Sequence, residues 1–169
     1  MRVGFAVAVA ACVAGCSTAQ VASRAGEPAI RLSETGLGPS GSPLQIDFGR
    51  AQDGVISAVT ALQGEGPRSS GVIEECGAGP VYAANWDNGL TLNFQNEQFL
   101  GWVAQLPFQA NYPEGAVALS TPREALTSNI SPDQTPLGEE FFAGGIWHLI
   151  GDDGNQVSTV WSGLTCFFR

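Results

Sequence analysis

Between residues 51 and 62 the apolar residues Val55, Ile56, Val59 and Leu62 recur at helical spacing and share one face. The spacing predicts a helix, weakened at Gly54 by about 1 kcal/mol relative to Ala and ended by Gly64 and Pro67. Residues 65–79 read as a loop that holds Glu74, Glu75 and Cys76. The period then falls to two. Residues 81–86 predict a strand, and Asp87-Asn88-Gly89 predicts a hairpin turn. Leu90, Leu92 and Phe94 alternate with Thr91 and Asn93, the pattern of a half-buried strand. A polar turn at 95–98 leads to a third strand at 99–104.

The second half begins again. Ser120-Thr121-Pro122-Arg123-Glu124 carries a hydroxyl cap, an early proline and an early acid, and so predicts a helix running to Asn129 or Ile130 and stopped by Pro132. Residues 136–145 read as irregular. Strands are predicted at 146–150 and 157–162 around a turn, with a last strand at 164–168. Trp86-Asp87-Asn88-Gly89-Leu90-Thr91 is echoed by Trp161-Ser162-Gly163-Leu164-Thr165, which points to a duplication with halves at 36–106 and 113–169. The fold class expected is α+β: an antiparallel sheet with one or two helices packed on one face, in the duplicated form two tandem helix-plus-hairpin units. The 22 glycines and 10 prolines agree with many short strands and turns.

The start of the chain carries a different pattern. Met1-Arg2 precedes an apolar run from Val3 to Val13, too short for the roughly 20 residues of a membrane span and of the length of an export signal. The run ends Val13-Ala14-Gly15-Cys16, which resembles the bacterial lipobox. The resemblance implies that residues 1–15 are a signal peptide cut between Gly15 and Cys16. It also implies that Cys16 carries three acyl chains, palmitate among them, which makes the membrane a partner through that lipid; two chains already give stable anchoring. Ser17, where an Asp would retain a lipoprotein at the inner membrane, implies the periplasmic face of the outer membrane. Residues 16–34 read as the lipidated Cys and a flexible tether, and 35–169 as one periplasmic domain.

Seven basic residues, all Arg, stand against sixteen acidic ones, a net charge of −9. Loss of residues 1–15 would remove Arg2 and no acid. No cationic stripe remains for a nucleic-acid partner or for electrostatic membrane binding. Of four cysteines, Cys12 leaves with the signal and Cys16 takes lipid. Cys76 and Cys166 remain, one in each half, and in an oxidising compartment a disulfide is their simplest reading. Two buried thiols or a redox pair are the alternatives; no Cys-x-x-Cys occurs.

Candidate catalytic groups are sparse. His148 is the only histidine and lies inside an apolar strand pattern with no adjacent nucleophile. Glu74-Glu75 and Glu139-Glu140 have the residue types of a glycosidase acid–base pair and also those of solvated loops. Asp152-Asp153-Gly154-Asn155 lacks the ligand spacing of a calcium loop and suits a hairpin turn. No metal site, phosphate loop or dinucleotide fingerprint is complete, and no cofactor is expected. The aromatic residues carry more. Trp86, Trp102, Trp147 and Trp161 suit a core, yet Trp147 and Leu149 point away from Ile146, His148 and Ile150 in any strand. If helices cover one sheet face, Trp residues on the other make partner-binding anchors.

A helix followed by antiparallel strands, given twice in an exported chain, resembles the BamE and beta-lactamase-inhibitory-protein type of domain. Gly36-Leu37-Gly38-Pro39 and Gly89-Leu90 through Phe94 likewise resemble small bacterial lipoproteins. The resemblance covers about residues 36 to 169. It implies helices against one face of an antiparallel sheet and, for BamE, an outer-membrane lipoprotein. The two-helix opening of each unit in that family is missing here, and the final unit is one strand short. The expected function is a non-enzymatic envelope binding or assembly-support module with a periplasmic or envelope protein partner. An inhibitor-like module that binds an enzyme, and a hydrolase, are the alternatives.

Overall fold

Leu90, Leu92 and Phe94 are fully buried, and the strand that carries them forms the centre of a meander. In the computed structural model, which describes residues 27–167, the elements in order are β1 (Ile30–Ser33), β2 (Gly36–Pro39), β3 (Ile46–Asp47), α1 (Gln52–Gln63), β4 (Ser69–Ile73), β5 (Val81–Asn85), β6 (Leu90–Gln95), β7 (Gln98–Gln105), β8 (Asp133–Thr135), β9 (Gly138–Ala143), β10 (Ile146–Ile150) and β11 (Val157–Gly163). The signal, Cys16 and most of the tether lie outside the described residues.

Strands β4 to β11 form one antiparallel sheet in the order β4-β5-β6-β7-β11-β10-β9-β8, and β1-β2-β3 form a second. The large sheet is two four-stranded meanders joined where β7 meets β11. One face takes Leu92, Trp102, Val160, His148 and Phe141, alternate residues of neighbouring strands. It is covered by α1 through Val55 and Val59, by the small sheet through Ile30, Leu32 and Leu37, and by residues 106–130 through Phe108, Leu119 and Leu126. Trp102 ties the two sheets together: its Nε1–H donates to the Ser33 carbonyl at 3.0 Å. The class is therefore α+β with sheet dominant and one α-helix among the described residues.

Six expectations need correction. The helix predicted from Ser120 is only a 3-10 turn at Arg123–Ala125. The Thr121 carbonyl, which an α-helix would give to the Ala125 N–H, accepts instead from the Val157 N–H, and Ala125 N–H donates to Pro122. Ser120 is also held at φ +65°, outside the helical region. The tandem helix-plus-hairpin repeat is thus met only by the meanders. Trp86 follows β5 while Trp161 lies within β11, so the two motifs are not equivalent. The loop at 65–79 contains β4, an edge strand exposed along its whole length, which therefore carries no alternation. The irregular stretch 136–145 contains β9. The tether ends early, because Ile30 and Leu32 alternate with half-buried neighbours and bury in β1. Of the last strand predicted at 164–168, residues 164–167 join no ladder and form a strap across the open face of the sheet, and residue 168 lies outside the described residues.

Candidate functional site

The register that buries Trp102 sends its neighbours the other way. Trp161 pairs across the sheet with Val103 and with Trp147, and Trp147 pairs with Phe142. Their rings form a row. Trp147 stacks on Trp161 at 6.2 Å and 11°, Phe142 meets Trp147 edge-on at 5.2 Å, and Phe167 of the strap meets Trp161 edge-on at 5.0 Å. Phe142 keeps 55% and Trp147 40% of its surface in water, while Trp161 keeps only 2%. Two of the four candidate tryptophans thus lie on the open face and one of them is accessible. Trp86 and Trp102 are core and are no partner contacts: Trp102 lies opposite Leu92, and Trp86 donates its Nε1–H to the Glu65 carbonyl at 3.0 Å.

The strap is held by backbone and side chain. Leu164 N–H donates to Leu100 at 2.8 Å, and the buried Asn93 donates its amide to the Leu164 carbonyl at 2.9 Å. Gly101 makes this approach possible, since a Cβ there would sit 2.1 Å from the Leu164 oxygen. The strap separates two clefts. One, of about 430 Å³, runs along Phe142, Trp147 and Trp161 to Glu34. The other, of about 400 Å³, is floored by Val103, edged on its polar side by Ser69, Asn85, Thr91 and Gln105, and bounded on β4 by the exposed Val72 and Ile73.

Strap residue Cys166 meets Cys76. Both are free thiols in this structure, so the disulfide expected between them is not formed. The two are nonetheless neighbours: burial, then a hydrogen bond with Cys76 and its charge, push the Cys166 thiol up to about 11. Cys76 also lies 3.9 Å from the Thr165 carbonyl.

The other candidates separate. Adjacent strand residues point to opposite sides, so Glu139 pairs with Arg123 while Glu140 is buried on the other side of β9. Glu74 and Glu75 are exposed beyond β4. Asp153 accepts from the Asn155 N–H at 3.0 Å, closing the β10–β11 turn. Among the described residues, no three His, Cys, Asp or Glu side chains come together as a metal site. His148 is fully buried, stacked on Phe141 at 4.6 Å, with Nε2 accepting from the Val117 N–H at 3.1 Å. Its neutral ring therefore carries the proton on Nδ1.

Burial, against opposing backbone hydrogen bonds, lowers the His148 pKa to about 4. The unfolded chain, with an ordinary value near 6.5, binds the proton first as pH falls. This residue's contribution is thus fully present above about pH 6.5 and declines towards pH 4, by about 3 kcal/mol. Urea titrations of wild type against His148→Gln, whose amide oxygen can still accept from Val117, should show a shallower acid slope in the variant. Equal slopes would place the ring in water.

Comparisons with protein-family models, with curated proteins and with solved structures give no match.

Proposed function

We propose that this chain is a lipid-anchored bacterial envelope protein, a non-enzymatic binding module that engages its partner through the open face of the large sheet. The exposed Phe142–Trp147 pair carries the reading. Three layers cover the opposite face, whereas here two large rings stay in water over a pre-stacked Trp161. Large aromatic side chains give much contact area for little ordering cost, and they dominate binding energies out of proportion to their number. The buried His148 is out of reach of any substrate, which supports binding over hydrolysis. The lipobox-like run ending at Cys16 supports the anchor.

Detergent-phase partitioning of full-length chain, cross-linked in cells, tests anchor and surface together. Wild type should enter the detergent phase with its partner. Cys16→Ser should remain in the aqueous phase. Trp147→Ala should enter the detergent without the partner, at a cost to stability of only about 1 kcal/mol. A Trp147→Ala chain that keeps its partner overturns the surface assignment. A Cys16→Ser chain that still partitions into detergent overturns the anchor.

A further inference from the structure

We propose that the ligand of the open face is an uncharged oligosaccharide, seated in the polar cleft beside the strap and reaching over it to the Phe142 and Trp147 rings. The inference rests on the binding reading above and gives its ligand class.

Charge is the first argument. The chain has sixteen acidic residues and seven Arg, yet among the described residues no charged side chain lines the polar cleft. Glu34 is the single charged residue lining the aromatic one. A basic peptide or an anionic headgroup would lose hydration here and gain no partner charge. A neutral ligand loses nothing of the kind.

Chemistry is the second. The Thr91 hydroxyl donates to Asn85 Oδ1 at 2.9 Å, and Asn85 Nδ2 donates to the Ser69 hydroxyl at 3.4 Å. This chain of bonds crosses β6, β5 and β4 and fixes the Asn85 amide in one orientation. The second Asn85 N–H and the Ser69 hydroxyl proton are left for a ligand, and the exposed Gln105 amide adds a donor and an acceptor. A sugar ring has the matching character: a rim of neutral hydroxyls that wants fixed donors and acceptors, and a C–H face that packs on aromatic surface.

Span is the third. From β5 to β10 is four strand spacings, roughly 19 Å. One sugar cannot touch both the amide chain and the rings, whereas a chain of several units can. The clefts flank the strap, since Val103 of one is the cross-strand partner of Trp161 in the other; both residues are buried beneath it, so a ligand that spans the clefts passes over the strap.

Titration calorimetry on the full-length chain in neutral detergent tests this with cellotetraose, with the tetramer of N-acetylglucosamine, and with a heparin tetrasaccharide as the polyanionic control. A neutral tetramer should bind saturably and the heparin fragment should not. Trp147→Ala and Asn85→Ala should each weaken binding about tenfold or more. Both side chains are partly exposed, and a thermal melt confirms that each variant is folded. Neutral-sugar binding that neither variant weakens overturns the site. Absence of neutral-sugar binding, with partner capture still dependent on Trp147, overturns the ligand class and makes the partner a protein. Loss of both overturns the binding reading as well.

Discussion

Trp102→Ala should unfold the chain at a far lower urea concentration than wild type, with a loss of about 3–5 kcal/mol. The indole is fully buried between Leu92 on β6 and Ser162 on β11, so truncation leaves a large cavity at the seam between the two meanders. It also removes the N–H that satisfies the Ser33 carbonyl. Domains of this size are stable by only about 5–15 kcal/mol, so a fifth or more of the total is at stake. Trp102→Phe separates the two effects. It refills most of the volume and leaves the carbonyl unpaired, a cost of about 1–3 kcal/mol. Hydrogen exchange in β1 should rise in both variants, because the indole bonds the large sheet directly to the Ser33 carbonyl of β1. A midpoint within about 1 kcal/mol of wild type for Trp102→Ala would remove the ring from the core.

The contrast between Trp102 and Trp147 shows what the sequence could and could not tell. Alternation in 90–94 and in 146–150 gave the strands and placed Trp147 and Leu149 opposite His148, because a half-buried strand must alternate. Trp102 sits in a run that reads Phe99-Leu100-Gly101-Trp102-Val103, apolar on both faces, and there alternation has nothing to report. The edge strand β4 fails for the opposite reason: it buries neither face, and Ser69-Ser70-Gly71 resembles any loop. The false helix at Ser120 had correct local signals. Tertiary pairing with Val157 took the Thr121 carbonyl that the first α-helical turn needs. The aromatic row was half legible. Phe167 joins it only because the strap turns back over the sheet, and that turn depends on Gly163 at φ +71° and the missing side chain of Gly101.

Oxidation of Cys76 and Cys166 to a disulfide should be the largest single stabilisation available to this chain. The thiols already lie side by side, one after β4 and one on the strap. A bridge would close a loop of about 90 residues, worth roughly 4–5 kcal/mol by the entropy lost from the unfolded chain. With its pKa raised to about 11, Cys166 is a thiol at neutral pH and a slow nucleophile. Chain recovered from an oxidising compartment should resist alkylation at both positions until reduced. Reduction should lower its Tm by more than about 10 °C, and Cys76→Ser and Cys166→Ser should each reproduce that drop without reductant. Free alkylation of both residues in untreated protein would refute the bridge. The strap supplies an optical check. It holds Phe167 against Trp161, so loosening it exposes that indole, and acrylamide quenching of tryptophan fluorescence should rise on reduction. The same rise should fail to appear in Cys166→Ser, whose strap is already unbridged.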